Sequence, residues 1–202
     1  LFTGLIRELA EVGSLHDSSL KIRANHTPKI GDSIAINGAC LTVVSLFDGG
    51  FEVELSEETR RKVATQNYHG RVHMEPAMRL QDRLEGHIVQ GHIDGIGTLT
   101  KIQKHPMGSD FFIEAPSEVL RYIIPKGSVA IDGVSLTVNE VLSDSFRLTL
   151  IPHTLTSTLF GDYSIGRKVN IETDILVRSI AHLLGRRDSL SWAEVDSILM
   201  SY

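Results

Sequence analysis

Cys40 and Thr42 stand two residues apart, as do Ser135 and Thr137, and each pair follows a turn dipeptide, Asn37-Gly38 or Asp132-Gly133. Residues two apart on a strand share one face. A thiol on such a face can polarise a bound ring or, once ionised, act as a nucleophile. Hydroxyls there can hold ring oxygens or a polyol chain. His87 and His92 lie between the pairs, and an imidazole titrating near neutrality can shuttle protons. Each residue also has a plainer reading. A lone strand cysteine is commonly buried packing. Asp132 serves equally well as the first residue of an Asp-Gly turn, and a histidine in a glycine-rich stretch can be structural. His87 suits bracing better than substrate contact.

These residues sit in a duplicated chain. The run from Ile34 to Val43 is matched by the run from Val129 to Val138, 95 residues further on. Phe51 to Leu55 matches Phe146 to Leu150 in the same register, and Thr59 falls opposite Thr154. Gly70 to Glu75 resembles Gly166 to Glu172 with one residue inserted, and Gly4 to Ile6 resembles Gly91 to Ile93 at a shift of 87. Two units of this length are too few and too long for a solenoid. Each half has about 90 residues, enough for its own core. The segment from Gly86 to Gly97 is the expected seam.

Strands must carry the chemistry. Ser33 to Ile36 and Cys40 to Leu46 are short and β-branched, and Asn37-Gly38 between them tolerates positive φ, as a tight hairpin requires. Asp132-Gly133 repeats that turn. Phe51, Val53 and Leu55 face one way and Glu52 and Glu54 the other, the pattern of a half-solvated strand. The class is all-β, with about six short antiparallel strands per half. Closing them into a barrel removes the edges; a sandwich would show the same periodicity. Helices are few: Ser117 to Tyr122 after Pro116, and Ile175 to Leu184 with an apolar stripe of Leu176, Ile180, Leu183 and Leu184 ended by Gly185. Ser191 and Glu194 form a capping box ahead of a further helical stretch.

Composition narrows the classes. The formal charge of −5 gives no general attraction to nucleic acid or to an anionic membrane. No apolar run is long enough to span a bilayer, and Arg7, Glu8 and Glu11 interrupt any signal-like stretch. Cys40 is the single cysteine, so an intrachain disulfide is excluded and a thiolate metal cluster would need other chains. A cytoplasmic location is the simplest fit.

The ordered combination of Phe2-Thr3-Gly4, Asn37 to Val43, Gly86 to Gly95, Lys126-Gly127, Asp132 to Val138, Ile151 to Leu155 and Val169 to Glu172 resembles the riboflavin synthase family, alpha-chain type, over nearly the whole chain. The resemblance implies two tandem six-stranded antiparallel Greek-key barrels with a C-terminal helix. The units run 1–87 and 88–173, with 174–202 as a helical trimerisation segment and tail. It implies a homotrimer whose site lies between barrels of adjacent subunits. There, two molecules of 6,7-dimethyl-8-ribityllumazine exchange a four-carbon unit, with no metal or redox cofactor. Lumazine synthase is a further candidate partner. By the same resemblance Cys40, His92, Ser33, Ser135 and Asp132 are the catalytic candidates. Phe2, Thr3, Gly4, Thr42, Thr59, Glu75, Lys126, Thr137, Thr154 and Asp174 are the substrate-binding candidates. Lys126 can also pair with Asp132 or stay solvated at the surface.

The chain departs from the family pattern at Glu85-Gly86, at Glu58-Thr59-Arg60, at His73 to Pro76, where Asn-Leu-Glu-Arg is common, and at Val177-Arg178-Ser179. Two rivals remain: a non-catalytic paralogue that binds lumazine or flavin, and a structural trimer with degenerate sites.

Overall fold

The computed structural model describes residues 1–187. Among these residues twelve strands form two closed barrels. The first contains β1 (Glu8–His16), β2 (Ser19–Arg23), β3 (Ser33–Ile36), β4 (Ala39–Phe47), β5 (Gly50–Glu54) and β6 (Arg71–Pro76). The second contains β7 (Gly95–His105), β8 (Gly108–Glu114), β9 (Ser128–Ile131), β10 (Val134–Val141), β11 (Ser145–Leu150) and β12 (Lys168–Thr173). Around the first barrel the order is β1-β2-β5-β4-β3-β6, and around the second β7-β8-β11-β10-β9-β12, so the topology is the same in both. Closure decides between barrel and sandwich, which periodicity left open.

Alternation along the strands explains the cores. Phe51 and Val53 point inward and are fully buried, as are their counterparts Phe146 and Leu148. The register shifts at four β-bulges, in β1, β4, β7 and β10, and they occupy matching places in the two halves. Bulges add twist and bend, which helps so few strands close. Gly95 and Gly97 belong to β7 rather than to a loose seam. A Cβ at Gly97 would come within 2.7 Å of the Ile113 and Ile171 side chains, so close core packing excludes one.

Among the described residues four α-helices accompany the barrels: α1 (Glu57–Lys62), α2 (Ser117–Leu120), α3 (Pro152–Ser157) and α4 (Ile175–Arg187). Neither α1 nor α3 was anticipated, yet the signals exist. Ser56 caps α1 by accepting the Thr59 N–H, and α3 starts with Pro152 in its first turn. The end expected for α4 at Gly185 is corrected: the helix continues to Arg187. Glycine lowers helix propensity without preventing continuation. The α4 stripe of Leu176, Ile180, Leu183 and Leu184 is 56–64% exposed. The capping box at Ser191 and Glu194 lies outside the described residues.

The barrels meet through their leading segments. Phe2 and Val89 form an antiparallel bridge, and with Ala35 and Ala130 they make a small buried cluster. Phe2 and Val89 are repeat counterparts, as are the two alanines. Ile93, which precedes the second barrel, packs in the core of the first, while Ile6, which precedes the first, packs against the core of the second. Each half lends its leading segment to the other.

Candidate functional site

The two hairpin turns face each other across the seam. Asn37 and Gly38 have φ of 44° and 83°, and Asp132 and Gly133 have 46° and 83°. A Cβ on Gly38 would lie 2.6 Å from the Gly133 amide nitrogen. Both glycines are therefore required by backbone conformation and by contact.

A reciprocal hydrogen-bond lattice surrounds these turns. The His73 N–H donates to Asn37 Oδ1 at 2.9 Å, and the Asn170 N–H to Asp132 Oδ1 at 2.8 Å. Asn170 Nδ2 donates to the Asn37 carbonyl, and Asn170 Oδ1 accepts the Ala64 N–H. His73 repeats both contacts: Nδ1 meets the Asp132 carbonyl at 2.9 Å and Nε2 accepts the Leu159 N–H at 2.8 Å. A carbonyl only accepts and an N–H only donates, so the network assigns the proton to Nδ1. An imidazole at 73 thus does the work that the carboxamide of its repeat counterpart Asn170 does in the other half. Burial lowers its pKa to about 4 and keeps it neutral.

Asp132 is completely buried in this lattice. Tyr163 Oη donates to its carboxylate at 2.5 Å, and the Arg167 guanidinium lies at 3.8 Å. Burial raises its pKa to about 6 against those hydrogen bonds. The suggested Lys126–Asp132 pair is corrected. Arg167 is the countercharge, while Lys126 is exposed on a turn with φ of 63°.

Two carboxylates in register hold the leading segments. Glu75 accepts from the Thr3 N–H, the Thr3 hydroxyl and the Gly4 N–H at 2.7–3.0 Å. Glu172 accepts from the N–H groups of Gln90, Gly91 and His92 at 2.6, 2.8 and 3.1 Å. Burial pushes the Glu172 carboxyl up to about 7 and also raises that of Glu75. Each clamped glycine then accepts from the opposite barrel: the Cys40 N–H reaches the Gly91 carbonyl, and the Ser135 N–H reaches the Gly4 carbonyl, both at 2.8 Å. Positive φ at Gly4 and Gly91, of 78° and 80°, permits this approach. A Cβ on either would fall 2.5–2.6 Å from the Cys40 or Ser135 Cβ.

Around Cys40 this leaves a cleft of about 410 Å³, lined by Cys40, Glu58, Thr59, Lys62, His92 and Ile93 among others. Three expected residues, Cys40, Thr59 and His92, come together there. Ser33 and Thr42 pair across β3 and β4, but Ser33 lines a separate groove of about 340 Å³ with His26, Lys29 and Arg79. The surroundings of Ser135 differ. His87 Nδ1 lies 2.7 Å from its hydroxyl, and the backbone of Gly86 passes close by. His87 is nearly buried, which agrees with a bracing role.

Other candidates fall elsewhere. Thr137 pairs with Ser128 across β9 and β10. Thr154 lies in α3, with its carbonyl accepting the Thr158 hydroxyl. Asp174 accepts the Leu176 N–H at the start of α4. Phe2 is buried in the seam, and Thr3, Gly4 and Glu75 form the clamp beside Ser135. Glu172, Glu58 and Lys62 were missed as site residues. The register pairing Glu75 with Glu172 was the available signal for the first, and the Ser56 cap with i,i+4 Glu-Lys spacing for the others.

A family model described as the lumazine binding domain matches residues 3–77 and again 90–174. The riboflavin synthase of Photobacterium phosphoreum is 40% identical over 91% of this chain and 89% of its own. This chain belongs to the riboflavin synthase family. The Photobacterium leiognathi riboflavin synthase is 37% identical over the same shares. A crystal structure of LumP with 6,7-dimethyl-8-(1'-D-ribityl)lumazine superposes with a TM-score of 0.74, covering 86% of this chain and 99% of that one. At 18% identity that likeness is of fold alone. Within the family frame, the two lumazine-binding domains are the two barrels, and the seam exchanges a clamped segment between them.

Proposed function

We propose that this protein is a riboflavin synthase, converting two molecules of 6,7-dimethyl-8-ribityllumazine to riboflavin and 5-amino-6-ribitylamino-2,4(1H,3H)-pyrimidinedione. The observation that carries the reading is the Cys40 cleft, where the Cys40 thiol and Lys62 ammonium of the first lumazine-binding match and the exposed His92 imidazole of the second line one cavity. In the reaction one lumazine loses a proton from its C7 methyl group, and the pteridine ring delocalises the resulting carbanion. The second lumazine accepts a nucleophile and is then attacked by that anion. Fragmentation of the joined adduct moves four carbons to the acceptor. His92 exchanges protons at the cleft edge, and Cys40 polarises the bound ring. Holding two rings together removes the entropy of their encounter.

Donor and acceptor are the same compound, so two diverged barrels suit the two parts. The full site then lies between the first barrel of one subunit and the second of another. A homotrimer built on α4 brings these together, within the units 1–87, 88–173 and 174–202. Ser33 and Thr42 bind the ring or the ribityl chain beside Cys40; Ser135 and Thr137 do so on the second barrel. Among the described residues no helix is long and apolar enough to cross a membrane. We place the enzyme in the cytoplasm, where lumazine synthase is a candidate partner. Anaerobic incubation with 6,7-dimethyl-8-ribityllumazine tests the assignment. Riboflavin and the pyrimidine in equal amounts are expected; tight binding without product would replace it with a ligand-binding paralogue.

A further inference from the structure

Segment Gln90–His92 shapes the Cys40 cleft, and three supports hold it. One is the Glu172 clamp. The second is the Cys40 N–H on the Gly91 carbonyl. The third comes from α4, the helix whose apolar stripe lies open. Arg178 Nη1 donates to Asp94 Oδ1 at 2.5 Å, and its Nη2 to Gln90 Oε1 at 3.1 Å. Asp94 is itself fixed, because its other carboxylate oxygen accepts the N–H and hydroxyl of Thr173 at 2.7 Å. Thr173 is the residue after Glu172 on β12. One guanidinium therefore grips both flanks of the clamped segment.

Among the described residues, these are the side-chain hydrogen bonds that α4 makes to the barrels. The pair is mostly enclosed, with Arg178 22% and Asp94 18% exposed. A lysine presents one point charge and would not replace a planar fork that reaches two separate acceptors.

We propose that Arg178 is a positioning residue that couples the placement of α4 to the placement of His92 and Gly91 over Cys40. A change in how α4 is held is thereby felt at the cleft. The assignment of the cleft to lumazine chemistry rests on the function proposed above; the mechanical link does not.

The charged groups facing Glu172 strengthen the case. Asp94, ahead of β7, raises its pKa, and Arg178, from α4, lowers it, after the larger effects of burial and the Gln90 and Gly91 N–H groups. Its partner on β9 is the uncharged Ala130, and His92 is the titratable neighbour on the segment. Lys62 on α1 also faces Asp94, but loss of Arg178 removes the cation that lowers the Glu172 pKa directly and pairs with Asp94, so the Glu172 carboxylate takes up a proton at higher pH and its hold on the N–H donors weakens.

The test uses the whole chain and its single cysteine. Alkylation of Cys40 by iodoacetamide is timed in the wild type, Arg178→Ala, Arg178→Lys and Gln90→Ala, with folding checked by circular dichroism. Arg178→Ala is expected to react about fivefold faster or more, Arg178→Lys to fall between it and the wild type, and Gln90→Ala to rise in the same direction. If Arg178→Ala alkylates at the wild-type rate, the coupling is wrong. If Arg178→Ala fails to fold, Arg178→Lys and Gln90→Ala decide in its place: wild-type rates in both overturn the proposal. Riboflavin formation across pH gives the second readout, with its acid limb moved upward in Arg178→Ala. A wild type that makes no riboflavin but shows the alkylation response would remove the functional assignment and leave the coupling standing.

Discussion

The two barrels share one scaffold and differ in what they leave open. Strand order, bulge positions, the Asn/Asp-Gly turns and the glutamate clamps repeat across the halves. At Cys40 the clamped segment borders an open cleft with His92 exposed at its edge. At Ser135 the equivalent hydroxyl already lies against His87. Duplication therefore preserved the positions that hold backbone together. Divergence within the lattice keeps the hydrogen bonds, as at Asn37 and Asp132 and at His73 and Asn170, whereas Cys40 and Ser135 change what faces the cleft.

The largest effect should separate the two pairs. Cys40→Ser is expected to lower riboflavin formation at least about tenfold with the fold retained, whereas Ser135→Ala should cost a few-fold, since its hydroxyl already has a protein partner. Steady-state rates on both variants test this, and equal losses would mean that the halves are functionally alike.

Gly38→Ala attacks the shared scaffold. Left-handed backbone and the close Gly133 amide together should cost about 2–5 kcal/mol in urea unfolding. Gly133→Ala should match it. Gly49 has φ of 77° but no neighbour within 4 Å, so Gly49→Ala should cost only about 1–2 kcal/mol. A Gly38→Ala variant as mild as Gly49→Ala would refute the tight contact between the turns.

A smaller effect should appear with pH. The Glu172 carboxyl titrates at about 7, above its ordinary 4.5, so its contribution to stability is full below 4.5 and is lost as pH rises through 7. Asp132, raised to about 6, acts in the same direction. His73, lowered to about 4, acts oppositely, but only as pH falls below its ordinary 6.5. Between about pH 8 and 6.5 the melting temperature should therefore rise slightly as pH falls. Activity should fall over the same interval, because a protonated Glu172 no longer accepts all three N–H groups. Parallel melting and rate profiles would show the opposed trends; a rate that does not change through pH 7 would exclude Glu172 from holding the site.

Asp132→Asn should have the least effect on the rate. It makes the second turn resemble the first and removes a group whose stabilisation is full below 3.8 and lost through about 6. The stability gap between wild type and variant should widen as pH falls through that range, with turnover little altered. A large loss of turnover at constant stability would instead support a catalytic role for Asp132.

Much of the fold was legible in the chain. Alternating Phe51, Val53 and Leu55 marks a half-buried strand because side chains on a strand have a period of two. Asn37-Gly38 and Asp132-Gly133 mark hairpins because positive φ is cheap there. The repeat register then told which residues are counterparts, Cys40 with Ser135 and Glu75 with Glu172. Local pattern encodes which face of a strand is buried, but not which other buried face it meets. Only the tertiary structure decided that the two turns dock, that His73 stands in for an asparagine, that Glu172 holds a segment of its own half against the thiol of the other, and that Arg178 reaches from α4 to that segment. Those contacts join residues about 60 to 130 positions apart. They depend on barrel closure and on the exchange of leading segments, which no local periodicity records.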